Sequence, residues 1–215
     1  MKRVFGMVEV IFDILYLLIA FAIGIYLLAN PSGPIVMVAG IMSLVLAAGD
    51  SFHLVPRILA ILKNDVDRYQ KALGAGKLIT SITMTIFYLF LYYIGVKIYG
   101  IQWIGLWGVL LILTAVRISL CLMPQNRWLD RYPPVDWGIF RNIPFFMIGI
   151  LVSAFFLINK GSVAGFEWMW LAILLSFAFY LPVVLWVNKN PKIGMLMLPK
   201  SCVYLWMLFM CMALL

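Results

Sequence analysis

The sequence predicts an all-α membrane protein of seven transmembrane helices, with its N-terminus in the cytoplasm and its C-terminus outside. Three observations carry that reading. Hydrophobic residues fill 66% of the 215 positions and charged residues 11%, at a mean hydropathy of +1.08, whereas a soluble domain carries roughly 25% charged residues. Polar punctuation separates seven apolar runs, each near the roughly 20 residues that a spanning helix requires. Lysines and arginines gather on alternate connectors. Together these describe one membrane domain over residues 1–215, with no room for a large soluble one.

The first run, 5–29, follows only "MKR" and has no small-residue cleavage pattern after it. It is therefore expected to be a retained helix rather than a signal peptide. "NPSGP" makes a tight turn, with Pro34 opening the second helix over 34–62. The polar stretch "KNDVDRYQKALGAGK" leads to the third helix, 73–99, and a short break to the fourth, 103–122. The connector "MPQNRWLDRYPPVD" precedes the fifth, 137–158; the sixth spans 166–187. "VNKNPK" places Pro191 where the seventh, 192–214, begins. No segment repeats between helices 1–3 and 5–7, which argues against a transporter built from duplicated halves.

With the N-terminus inside, the cytoplasmic flanks hold Lys2, Arg3, Arg57, Lys63, Arg68, Lys71, Lys77, Arg127, Arg131, Arg141, Lys189 and Lys192. The opposite side holds Lys97 and Lys160. That asymmetry is a positive-inside signal. Trp103, Trp107, Trp168 and Trp170 then fall at the outer interface, and Trp128, Trp137 and Trp186 at the inner one, as an aromatic belt requires. The net charge of +8 is thereby assigned to topology and anionic headgroups, not nucleic acid. The expected partners are membrane lipids, no obligate protein partner is evident, and the expected location is the cell membrane, as a multi-pass protein.

The same topology brings the ionisable residues to one depth. The stretch "GDSFHLVPR", Gly49 to Arg57, lies directly downstream of an apolar run and carries Asp50 and His53. A charge at the bilayer centre costs about 2.5–3.5 kcal/mol on insertion scales, so it needs a use or a partner. Helix 1 brings Glu9 and Asp13 to this cytoplasmic half, helix 3 Lys77, helix 4 Arg117, helix 5 Arg141, and helix 7 Lys200 with Tyr204 one turn on. Glu9, Asp13 and Tyr16 share one helix face, as do Asp50, His53 and Arg57.

Structural explanations stand beside the functional one. Glu9 in a first turn suits the helix dipole. His53 fits a hydrogen-bonded packing residue. Arg57, Lys77 and Arg141 are placed to snorkel. Asp50 with Arg117 or Lys200 is a candidate structural ion pair. The surplus of polar groups points instead to a wet cavity, with Asp50, Asp13, Glu9 and His53 as candidate catalytic groups. Lys77, Arg117, Arg141, Lys200 and Tyr204 are the candidate substrate contacts.

Some chemistry is excluded. One histidine and no cysteine cluster leave nothing to build the three-histidine zinc site of alkaline ceramidases and progestin-adiponectin receptor relatives. The carboxylates suit a harder metal, but no ligand spacing specifies one, and no metal or other cofactor is assigned. Cys121, Cys202 and Cys211 are odd in number and lie inside helices, so they read as packing residues. No Gly-rich phosphate loop or nucleophile elbow is present. Lys200 in the middle of a seventh helix has the position of a retinal Schiff-base lysine, with Asp50 or Asp13 as counterion, and this stays as a minor alternative.

"GDSFHLVP" resembles the Gly-Asp segment, ending in an apolar residue and proline, of the second helix in the lysoplasmalogenase family, small polytopic membrane proteins with acidic active-site residues. The resemblance covers Gly49 to Pro56; the family is expected to have eight helices. It implies hydrolysis of a lysolipid vinyl ether with Asp50 as an active-site acid. A non-catalytic lipid or small-anion transporter or receptor is the alternative for the same cavity.

Overall fold

The computed structural model describes residues 2–101, 103–161 and 163–215, and side chains from Gly6 onward, so the side chains of Lys2 and Arg3 lie outside the described residues. The helices are α1 (Lys2–Ala29), α2 (Pro34–Lys63), α3 (Val66–Tyr99), α4 (Ile104–Leu122), α5 (Val135–Ile158), α6 (Met169–Trp186) and α7 (Met197–Cys211). Among the described residues seven spans are long and apolar enough to cross a membrane, the last running over Pro191–Leu214. The chain is an integral membrane protein of seven helices.

The two largest boundary differences from the sequence reading, at the starts of α3 and α7, have local reasons. α3 starts at Val66 rather than 73, because Asp65 caps it, its carboxylate accepting from the Arg68 N–H at 3.1 Å, and Asp67 occupies the first turn. Hydropathy marks only the part of a helix that meets lipid. At 34 residues α3 is about 51 Å long at 1.5 Å per residue, beyond the 40–45 Å of a bilayer with its headgroups. Its first turns stand clear of the hydrocarbon, where the α4–α5 connector docks on them. Gln70 donates to the Asp130 carbonyl at 2.9 Å, and Arg131 pairs with Asp67 at 2.9 Å. The seventh span opens as a 3-10 segment, Pro191–Leu196, because Asn190 turns the chain by accepting from the Lys192 N–H at 3.1 Å.

α1, α2, α3, α5, α6 and α7 close a ring, with α7 packing back on α1, while α4 lies outside against α5 and α3. Short connectors make successive helices antiparallel. One end of the bundle therefore holds the start of α1 and the α2–α3, α4–α5 and α6–α7 connectors. It also holds most of the lysines and arginines and is called the basic end below. At the opposite end Ser32, in the α1–α2 turn, donates to the Leu214 carbonyl at 3.1 Å.

The α2–α3 contact is the most extensive in the ring, and two glycines bring the helices close within it. Pro56 lacks the N–H that would bond the Phe52 carbonyl. A Cβ on Gly76 would lie 2.2 Å from that oxygen. A Cβ on Gly49 would lie 2.0 Å from Thr83 Oγ1, and Thr80 donates to the Gly49 carbonyl at 2.9 Å. The chain beside Asp50 is thus clamped to α3. Towards the far end the interior turns aromatic: Tyr92 packs edge-on against Phe155 and Trp107, each at 4.9 Å between centroids. That layer separates the polar residues from the other side.

Candidate functional site

The centre of the polar half is a contact between α1 and α2. Tyr16, 1% exposed, donates its hydroxyl proton to Asp50 Oδ2 at 2.6 Å. Asp50 keeps part of its surface accessible although it sits in the middle of α2. Tyr16 lies on the helix 1 face that spacing assigns to Glu9 and Asp13, but spacing gives it no partner; the bond appears only when α1 packs on α2.

Asp13, one turn nearer the basic end, is 4% exposed, and its Oδ2 has no hydrogen-bond partner. Another turn out, Glu9 Oε1 accepts from Arg57 Nε, bridging α1 to α2 where both side chains are partly exposed. Glu9 and Arg57 are therefore an entrance ion pair. His53 is half-buried, and its Nδ1 is buried without a partner. It does not join the Asp50 contact through any hydrogen bond.

Lys200 comes from α7 and is 7% exposed. Its Nζ lies 4.5 Å from the Tyr180 ring centroid and 5.0 Å from that of Tyr204, so two aromatic faces hold the ammonium. Among the described residues the ion pairs are Glu9–Arg57 and Asp67–Arg131, and Asp50 is in neither. The structural pair with Arg117 or Lys200 that the sequence allows is not formed, and a phenol takes its place. Behind Tyr204 and Tyr88 the polar string ends at Ser176. Ser176 gives its proton to the Ile173 carbonyl at 2.7 Å, so in the 2.8 Å contact between them Tyr88 is the donor.

Arg117 has a different role. It is 1% exposed, and its guanidinium donates to Thr85 Oγ1 at 2.7 Å, the Arg141 carbonyl at 2.9 Å, Asn142 Oδ1 at 3.1 Å and the Ser81 carbonyl at 3.4 Å. Its flat face covers the Phe145 ring at 3.7 Å. Four backbone and side-chain acceptors on α3 and α5 leave it little to offer a ligand. Arg141 stacks on Trp128 at 4.0 Å and donates to Asn126 Oδ1 at 2.8 Å. Asn126 in turn donates to the Leu120 and Met123 carbonyls at 2.6 and 2.9 Å and closes the end of α4. Sequence reasoning missed the Asn126–Trp128–Arg141 knot because Asn126 and Trp128 read as connector polarity and interface belt. Lys77 is exposed at the basic end.

The structure thus divides the candidates. Asp50, Asp13 and Glu9 line up along α1 and α2, with Lys200 and Tyr204 facing them from α7. Arg117 and Arg141 brace helices. Two open grooves of about 390 and 410 Å³ lie elsewhere, one beside Phe90, Tyr93 and Trp107 and one beside Phe52, Val55 and Ile79. Cys121 and Cys211 are buried thiols and Cys202 is exposed. Among the described residues no group of three or more His, Cys, Asp or Glu is arranged to hold a metal ion.

Comparison with protein families, curated proteins and solved structures finds no match to this chain.

Proposed function

We propose that this chain is a membrane-embedded hydrolase that cleaves a lysolipid vinyl ether with Asp50 and Asp13 as its base and acid. The observation that carries the reading is the inequality of two neighbouring carboxyls. Asp50 accepts a hydrogen bond from the Tyr16 phenol and keeps accessible surface, while Asp13, one turn from Tyr16 on α1, is buried with an oxygen that has no partner. Acid–base chemistry needs such a pair in different environments. Glu9, held by Arg57, is set aside from the pair.

In this reaction the acid adds a proton to the vinyl carbon remote from oxygen, leaving an oxocarbenium ion. The base takes a proton from water as its oxygen bonds to the adjacent carbon. The resulting hemiacetal breaks its C–O bond, releasing a fatty aldehyde and a glycerol hydroxyl. One water is consumed and the acid's proton is returned. The accessible side of Asp50 is where the water would enter. Lys77 at the rim, and Lys200 with Tyr204 beneath, are placed to meet a headgroup phosphate. The basic end faces the cytoplasm of the cell membrane in this reading, and the lipid comes from that leaflet.

A carrier or receptor for a lipid or small anion is the second reading. It is favoured by Lys200, whose ammonium has no carboxylate within ion-pair range. Purified protein given alkenyl and acyl lysolipids in detergent decides between them. Aldehyde release that falls about 10²–10⁴-fold in Asp50→Asn, at unchanged melting temperature, supports the hydrolase. Lipid binding without release of either product overturns it in favour of the carrier.

A further inference from the structure

We infer that Asp13 is a proton-carrying site that exchanges with water at the basic end past the Glu9–Arg57 pair, and is the station through which the Tyr16–Asp50 pair loses and regains protons. The inference extends the acid role given to Asp13 above, and its test needs no turnover.

The groups are ordered along one route. Glu9, Asp13 and Tyr16 occupy successive turns of one face of α1, stepping inward by about 6 Å and then about 4.5 Å at 1.5 Å per residue. The outermost pair has side-chain exposures of 24% for Glu9 and 45% for Arg57, whereas Asp13 is 4% exposed and Tyr16 1%. Exposure thus falls steeply from the first station to the second, and the helical rise between stations is of the order that a bridging water spans.

Asp13 Oδ2 is a buried acceptor with no protein partner. Such groups are rare, and each calls for an explanation. A bound proton is the simplest, because a carboxylic acid needs no counter-ion. The charges that face Asp13 are Glu9 on its own helix and Arg57 and Asp50 on α2. His53 and Lys63, also on α2, and Cys202, Tyr204 and Cys211 on α7 are further titratable groups on the neighbouring helices. The cation on α7, the other helix packed on α1, is Lys200, which acts on Asp50. Among the described residues no lysine or arginine is thus dedicated to Asp13: the one beside it, Arg57, is already engaged by Glu9. Inward of Asp50 the polar side chains reach Ser176, and beyond it aromatic rings fill the interior, where the buried Tyr92 hydroxyl has no hydrogen-bond partner among the described residues. Among the described residues no hydrogen-bonded side-chain string continues from Ser176 to the far end, so the route supplies a buried site rather than conducting across the membrane.

Two measurements test this. A lipid-soluble carbodiimide, which adds to protonated carboxyls sheltered from water, is expected to label Asp13 in the wild-type protein, read by peptide mass spectrometry. An unlabelled Asp13, or labelling suppressed by sodium ions at constant pH, overturns the proposal, the second outcome making the site one for a metal cation. In infrared spectra on transfer from H₂O to D₂O, a carboxylic acid band that Asp13→Asn removes is expected to shift several-fold faster in Arg57→Gln. An unchanged exchange rate overturns the gating by Glu9 and Arg57. Failure of either measurement leaves the lysolipid assay standing, and the reverse also holds.

Discussion

Tyr16 and Asp50 meet at 2.6 Å between α1 and α2, phenol to carboxylate, in a part of the bundle where an ion pair is the common solution. A phenol satisfies one carboxylate oxygen without cancelling its charge, so Asp50 stays an acceptor for a second donor. Removing the phenolic hydroxyl isolates this contact. Tyr16→Phe deletes a hydrogen bond to a charged group, typically about 1.5–3 kcal/mol, with little change of shape. A fall in melting temperature in detergent is the expected outcome. An unchanged melt would mean that Asp50 finds an equivalent donor, and the α1–α2 contact would lose its claim to organise the site.

Arg117 gives the opposite expectation to a ligand-binding arginine. Arg117→Met removes the guanidinium from Thr85 Oγ1, Asn142 Oδ1 and the Arg141 carbonyl, leaving Thr85 its bond to the Ser81 carbonyl and Asn142 its bond from the Tyr180 hydroxyl, and each hydrogen bond to a charged group that is lost costs about 1.5–3 kcal/mol. Folded yield and melting temperature should fall sharply. Lys77→Met changes an exposed side chain and should stay within about ±0.5 kcal/mol. Equal melts for the two variants would return Arg117 to the list of free phosphate ligands.

These two residues also show how far the sequence reaches. Seven spans, their order and the placing of Glu9, Asp13, Asp50 and Lys200 in the half of the bundle nearer the basic end follow from hydropathy and helical spacing, because both are properties of single helices. Partners are properties of pairs of helices. Asp50 and Arg117 both read as charges in need of a counter-charge, yet packing gives one a tyrosine and the other a threonine, an asparagine and backbone carbonyls. The early start of α3 escapes hydropathy for a related reason: its first turns are polar and are held by an aspartate cap and a docked connector, not by lipid.

Orientation is a further expectation and rests on charge alone. Lysines and arginines concentrated at the basic end are drawn to the cytoplasmic side. Paired fusions after Leu215, one to a reporter active only outside and one to a reporter active only in the cytoplasm, should give signal from the first alone. Cytoplasmic signal at Leu215 would reverse the orientation and move the lipid-accessible entrance to the opposite leaflet.

Lys200 separates a charged residue from a covalent one. Its Nζ lies over the Tyr180 and Tyr204 rings at 4.5 and 5.0 Å, an arrangement worth about 0.5–2 kcal/mol to an ammonium. Tyr204 is 2% exposed and packs edge-on against Phe87 at 5.7 Å. A retinal linked to Lys200 would need a long apolar slot running from Nζ, whereas these rings occupy the space beside it and the two described grooves are lined by other residues. Purified protein mixed with all-trans-retinal should therefore develop no visible absorption band that Lys200→Ala removes. Lys200→Arg should keep the positive charge over the tyrosines and melt closer to wild type than Lys200→Ala. A retinal band that depends on Lys200 would replace the ammonium reading with a Schiff base and make Asp50 its counterion.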